Sequence, residues 1–278
     1  MNKTLLNIQI QYEKMGKSEK KIADFILANP GDILSLSITE LAEAAESSEA
    51  TIVRFARRLG FSGYQALKIS IAQERGRTYT SPDILPSDSC YDIFGKLSDD
   101  IYRSLEMTKK NLKVKAMELA AIKILRARSI FIFGLGNSSA VALDAAHKFM
   151  RAGCNAFAYS DNHMQAIAAS HMKKGDVALG ISHSGSSRDI VEALQIASKN
   201  EAFTISITNY GKSPIVKASD ISLFTSSKET RYSILGLNSR IAALVIVDSL
   251  YAYIVNHMGS DAARAINNVE NALKTKKY

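Results

Sequence analysis

Apolar positions in the first quarter of the chain recur at helical spacing and are punctuated by residues that start and stop helices. Ile22, Phe25 and Ile26 share one face of a helix that Ser18 can open, and Asn29-Pro30 closes it because proline drives the preceding residue out of the helical region. Ser37 with Glu40 three residues later has the spacing of a capping box, after which Leu41, Ala42 and Ala45 face inward. Ser47-Ser48 supplies the next cap. Ile52, Phe55, Ala56 and Leu59 then lie on one face, and Gly60 stands where a left-handed residue ends a helix of about three turns. Ser62 and Gln65 repeat the box spacing and open a helix through Tyr64, Leu67 and Ile71. The pattern predicts four small helices around one core.

From Arg75 to Ser89 the chain is polar and holds Pro82 and Pro86, as a linker does. Ile93, Leu97, Ile101, Leu105, Leu112, Ala116, Leu119 and Ile124 then mark one long or two shorter amphipathic helices. Beyond them, runs with β character begin at Ser129 (SIFIFG), Asn155 (NAFAYS), Val177 (VALGIS), Phe203 (FTISIT) and Ile221 (ISLF). Helical stretches lie between them, notably 140–151 and 190–199, and two more close the chain near 238–257 and 261–274. Such alternation implies right-handed βαβ units and a parallel sheet covered on both faces. The fold expected is therefore two domains. An all-α helix-turn-helix domain occupies 1–77, a linker and bridging helix 78–106, and an α/β domain with a five-stranded parallel sheet in flavodoxin-like order 2-1-3-4-5 occupies 107–278.

At 278 residues the chain is long enough for two cores. Its net charge of +8 invites a polyanion, yet residues 1–77 hold 11 Lys and Arg against 9 Asp and Glu, so the N-terminal part is not globally basic. What matters is segregation: Glu40, Glu43 and Glu46 fall on the first helix of the motif, and Arg54, Arg57 and Arg58 on the second. Cys90 and Cys154 have neither framework nor ligand spacing, which fits a reducing cytoplasm and implies no disulfide scaffold. His163, His171 and His183 lack acidic or thiol partners at ligand spacing, so no metal is expected, and no cofactor. The apolar stretch 241–255 is interrupted by Asp248 and Ser249, and no membrane role is expected.

Two short helices joined by a tight turn, the second burying one side and presenting arginines on the other, are what a major-groove reader requires. Thr51 and Arg54 are placed for base edges, and Ser48, Arg57, Arg58, Tyr64 and Lys68 for phosphates. Reading two half-sites calls for a homo-oligomer.

Two loops in the C-terminal half suit an anion. Gly134-Leu135-Gly136-Asn137-Ser138-Ser139 and Ser182-His183-Ser184-Gly185-Ser186-Ser187 each lie between a strand and a helix, where backbone amides and hydroxyls meet the positive end of a helix dipole. In the order 2-1-3-4-5 both flank the switch-point crevice. A dinucleotide site is the rival reading, with Asp161 as ribose-binding acid, but Ser139 occupies the third glycine position of that fingerprint.

The segments SITELAEAAESSEATIVRFARRLGFSGY, GLGNSSAVA, ISHSGSSRDIVEAL, TNYGKSP and NSRIAALVIVD together resemble the RpiR/MurR-type bacterial regulators, which join a helix-turn-helix to a sugar isomerase (SIS) domain. The resemblance covers almost the whole chain. It implies a transcriptional regulator, more often a repressor, of a sugar or amino-sugar catabolic operon, whose operator affinity is set by a sugar phosphate. Ser138 and Ser139 match the family's first serine loop, and Ser182, Ser184, Ser186 and Ser187 its second. His163 matches the position from which such regulators reach the sugar, and Arg240 the segment that closes over it. An N-acetylated amino-sugar 6-phosphate is the ligand favoured. The alternative is an SIS-domain phosphosugar isomerase, which needs a general base such as Glu229 or His163.

Overall fold

A computed structural model describes residues 3–34, 36–74, 84–227 and 237–276. They form two compact units, one built chiefly from Met1–Asp100 and the other from Ile101–Tyr210, Pro214–Ser227 and Asn238–Tyr278. Most of the expected linker, 75–83 with Arg75 and Pro82, lies outside the described residues, as does Glu229.

In the first unit, helices α1 (Lys3–Gln11), α2 (Lys17–Ala28), α3 (Ile38–Ala44), α4 (Glu49–Arg58) and α5 (Tyr64–Glu74) enclose one core, in which Ile8, Ile22, Ile26, Ile33, Leu41, Ile52, Phe55, Leu67 and Ile71 are fully buried. Sequence patterning predicts four of these helices and misses α1, whose few apolar residues are diluted by Asn7, Gln9 and Gln11. Tertiary contacts hold α1 in place: Ile8 enters the core, the Thr4 and Ser70 hydroxyls pair at 2.8 Å, and the Asn7 amide donates to the Leu59 carbonyl at 3.3 Å. α2 opens at Gly16, two residues before the expected Ser18, because Glu19 reaches back to the Gly16 N–H at 3.0 Å. The capping box at Ser37 forms as the spacing requires, with the Ser37 N–H donating to Glu40 at 2.8 Å.

α4 stops at Gly60, which takes φ +91° while its N–H and that of Phe61 donate to the carbonyls of Arg57 and Ala56. That is a Schellman ending, where glycine carries no Cβ penalty. α3 ends the same way, with Glu46 and Ser47 donating to Glu43 and Ala42. There, however, the left-handed residue is Glu46, at φ +45°. Glu46 therefore belongs to the turn and not to the first helix of the motif.

α6 (Cys90–Asn111) is continuous, and the division between the units falls within it, at Asp100. It is followed by α7 (Val114–Leu125), so the expected amphipathic stretch is two helices. In the second unit β1 (Ile130–Gly134), β2 (Ala156–Tyr159), β3 (Val177–Ile181), β4 (Phe203–Asn209) and β5 (Ile221–Thr225) form a parallel sheet in the order β2-β1-β3-β4-β5. This is the flavodoxin-like order expected. The crossovers are α8 (Asn137–Arg151), α9 (Asn162–Ser170), α10 (Arg188–Lys199) and the single turn α11 (Pro214–Lys217); α12 (Leu237–Met258) and α13 (Ser260–Leu273) follow.

One sheet face packs Ile130, Ile132, Leu179, Ile205, Ile207 and Leu223 against α7, α8 and α12. The other packs Phe133 and Ala178 against α9 and α10. Every residue of β3 is buried, which accounts for its unbroken apolar run. α12 is long and apolar enough to cross a membrane by length and composition, but it buries Ala243, Ile246, Val247, Leu250 and Ile254 in this core and pairs Asp248 with Lys148 of α8.

Candidate functional site

α4 presents Arg54, Arg57 and Arg58 on its exposed side while Ile52, Phe55 and Ala56 fill the core. Ser48 caps the helix by accepting the Thr51 N–H at 3.2 Å. Its hydroxyl also pairs with that of Thr51 at 2.8 Å, and Thr51 Oγ1 accepts from the Arg54 guanidinium at 3.0 Å. This chain of bonds orients Arg54 before any partner is bound. Thr39 of α3 donates to Glu49 at 2.7 Å, which ties the first helix of the motif to the start of the second. Arg58 pairs with Glu19 of α2, whereas Arg57 makes no side-chain bond to a described residue.

Tyr64 and Lys68 take inward positions. The Tyr64 hydroxyl donates to the carbonyls of Leu36 at 2.8 Å and Ile33 at 3.2 Å, and Lys68 Nζ donates to the Leu36 carbonyl at 3.2 Å. Both side chains are buried and hold the segment that leads into α3.

The serine loops are neighbours. Gly134, the end of β1, pairs in register with Ile181, the end of β3, so the loops that follow leave the same edge of the sheet side by side. Gly134 cannot be larger, since a Cβ there would lie 2.6 Å from the Ser138 carbonyl oxygen. Ser139 donates to the Gly136 carbonyl at 2.6 Å, and the half-buried Ser138 hydroxyl has no partner among the described residues. In the second loop the Ser182 and Ser187 hydroxyls lie 3.1 Å apart. Ser184 Oγ accepts the Ser186 N–H at 3.3 Å, and Ser186 Oγ donates to the Ser184 carbonyl at 3.2 Å. These are long contacts for hydroxyls. Neither α8 nor α10 has a side-chain cap. Their positive dipole ends lie at the edge where the serines stand, although in α8 the Ser138 and Ser139 N–H groups already donate to the Leu135 and Gly136 carbonyls at 3.1 and 3.0 Å.

α9 begins at the same edge, after β2. Its cap is Asp161, which accepts the Met164 N–H at 2.9 Å. The acid that the dinucleotide reading would set on a ribose is thus engaged at the start of a helix. His163 lies exposed in the first turn of α9, and Asn162 reaches Asp189 in the first turn of α10 at 3.5 Å. Below them Gln165, fully buried, donates to the carbonyls of Tyr159 at 2.8 Å and Gly134 at 3.4 Å. Sequence reading passes over Gln165, because a glutamine in a short polar stretch carries no signal of burial. Arg240 is half-buried in the first turn of α12 and makes no bond to either serine loop among the described residues. Arg188, at the start of α10, turns along its own helix to Glu192 at 2.6 Å, and that hydrogen bond holds its guanidinium above the ordinary arginine range. The opposite edge of the sheet is structural: the buried Asp176 accepts from Arg128 at 2.6 Å and from the Lys173 N–H at 3.0 Å.

Residues 2–77 match the family model described as a helix-turn-helix domain of the rpiR family, and residues 123–253 match that of the SIS domain. The chain is 39% identical to an HTH-type transcriptional regulator of Caldanaerobacter subterraneus subsp. tengcongensis, across 94% of this chain and 93% of that one. It is 33% identical to the HTH-type transcriptional regulator HexR of Pseudomonas aeruginosa, across 100% and 98%. Among solved structures, the Vibrio vulnificus NanR protein complexed with ManNAc-6P superposes with a TM-score of 0.82 at 26% identity, covering 99% of each chain.

Proposed function

This chain belongs to the rpiR family of helix-turn-helix transcriptional regulators, and we propose that it represses a sugar or amino-sugar catabolic operon, with operator affinity set by a sugar phosphate held in the SIS domain. The observation that carries the effector is the shared strand edge, where two serine loops and two helix starts without side-chain caps meet. Phosphate is the anion such an edge fits. Ser138, Ser139, Ser182, Ser184, Ser186 and Ser187 hold the phosphate, and His163 and Arg240 approach the sugar. The likeness to NanR, whose complex contains ManNAc-6P, favours an N-acetylated amino-sugar 6-phosphate.

On the DNA side, Arg54, oriented by Thr51, reads a base edge, and Ser48, Arg57 and Arg58 set the phosphate register. Tyr64 and Lys68 support the motif by fixing the segment ahead of α3. The regulator acts in the cytoplasm as a homodimer or tetramer that places two modules on half-sites roughly 34–36 Å apart. Regulation requires the ligand to prefer one arrangement of the chain, with a coupling of about 1–3 kcal/mol.

A mobility-shift assay on the DNA upstream of the protein's own gene, repeated with a panel of sugar phosphates, tests this reading. One sugar phosphate should release the DNA at concentrations where inorganic phosphate does not. Binding that no sugar phosphate alters removes the effector, and indifference to DNA sequence removes the operator.

A further inference from the structure

Gln165 carries a polar atom with no partner among the described residues. Its amide nitrogen donates to the Tyr159 and Gly134 carbonyls, at the ends of β2 and β1. A primary amide has two N–H donors and both targets are acceptors, so the nitrogen must face the strand ends. Turning the amide over would set oxygen against oxygen. The other limb, Oε1, is thereby directed away from those carbonyls. It is buried, and no described residue donates to it. A buried acceptor left unmade costs about as much as a lost hydrogen bond. Plugging two strand-end carbonyls explains the nitrogen and leaves the oxygen unexplained.

The position of this residue says what kind of partner it lacks. Gly134, whose carbonyl Gln165 holds, opens the first serine loop, and the first turn of α9 is linked through Asn162 to that of α10. Gln165 therefore lies at the edge where the proposed phosphate site stands. A phosphate dianion presents acceptors only and cannot satisfy Oε1, whereas a hydroxyl or an amide N–H can. We infer that Gln165 is a specificity-determining residue that accepts a hydrogen bond from the sugar body, from a ring hydroxyl or an N-acetyl N–H, of the ligand whose phosphate the serine loops hold. The inference rests on the sugar-phosphate reading above. Oε1 has almost no exposed surface in the ligand-free chain, so a donor reaches it only if the start of α9 yields; a matching donor then satisfies it, and a ligand without one leaves the oxygen buried and unmade. That asymmetry lets a polar site reject a deoxy analogue more strongly than an apolar pocket rejects a missing methylene.

Calorimetry on the full-length protein tests it, with N-acetylmannosamine 6-phosphate, a set of deoxyhexose 6-phosphates including 2-deoxyglucose 6-phosphate, and inorganic phosphate as probes. At least one deoxy analogue should bind the wild type about tenfold more weakly than its hydroxyl- or amide-bearing counterpart. Gln165→Met should bring the two together by weakening the counterpart, with the affinity for inorganic phosphate unchanged within about twofold. A variant that preserves the ratio between the two overturns the assignment. So does a wild type that binds every analogue as tightly as its counterpart, a measurement that stands even if Gln165→Met does not fold. A wild type that binds none of the probes overturns the sugar-phosphate reading, and this inference with it; binding without discrimination overturns this inference alone.

Discussion

At the starts of α3 and α4, Ser37 and Ser48 accept helix N–H groups that have no partner within the helix, while at the starts of α8 and α10 no side chain does. Serines stand beside all four. In the first unit they are spent on the protein: Ser48 holds Thr51, and Thr51 holds Arg54. At the strand edge Ser139 donates to the Gly136 carbonyl and Ser184 and Ser186 bond within their own loop, but the Ser182 and Ser187 hydroxyls meet each other at a long 3.1 Å and that of Ser138 has no partner among the described residues. A helix that must enter a groove gains from being finished beforehand, since whatever it orders on binding subtracts from affinity. An anion site gains from donors left for the ligand, because an internal cap would have to be broken first.

The broadest way to probe this contrast is to dismantle one side. Phe55, on the inward face of α4, is fully buried, and Phe55→Ala should cost about 3–5 kcal/mol. Calorimetric melting should show the loss in the N-terminal unit, with operator binding gone and ligand binding retained; loss of both would mean that the units are not independently stable. Ser182→Ala attacks the other side. Removing a hydrogen bond to a charged phosphate costs about 1.5–3 kcal/mol. The ligand needed to release operator should therefore rise about tenfold to a hundredfold, while binding of ligand-free protein to operator stays as it was.

Within α4 the contrast sharpens between neighbours. Arg54→Ala should lose about 1–3 kcal/mol on the preferred sequence and little on others, whereas Arg57→Ala should weaken all sequences alike and lower the salt dependence by about one ion. Titrations on operator and scrambled DNA at several salt concentrations separate the two, and identical profiles would place both arginines on phosphates. The smallest effect concerns the turn. Glu46 occupies the left-handed position with a Cβ, so Glu46→Gly should stabilise the N-terminal unit by up to about 1 kcal/mol, less whatever its exposed pairing with Lys21 contributes. A lower melting temperature would show that this pair outweighs the backbone strain.

Much of this architecture is legible in residue order, for local reasons. The five strands stand out as short apolar runs separated by helical ones, and the handedness of βαβ crossovers leaves few sheet orders to choose from. The capping box at Ser37 and the glycine stop at Gly60 are chemical signals confined to a few residues, and they form where the spacing places them. α1 is not legible, because Ile8 becomes a core residue only once α5 lies beside it. Tyr64 and Lys68 teach the same lesson. A phenol or an ammonium near a helix start has the look of a surface donor, and only packing aims it at the carbonyls of Ile33 and Leu36.

The order of residues alone determined the kinds of element, their succession, the turns and caps between them, and the presence of a DNA-reading motif and two serine loops. Those features depend on interactions that span a few positions, so they are written where they act. Tertiary structure decided which donors and acceptors are left over: that Arg54 is held by Thr51, that the loops after β1 and β3 share an edge, and that Gln165 keeps one buried oxygen without a partner among the described residues. Whether a polar atom is satisfied depends on groups far away in sequence, and only the folded chain brings them within hydrogen-bond reach.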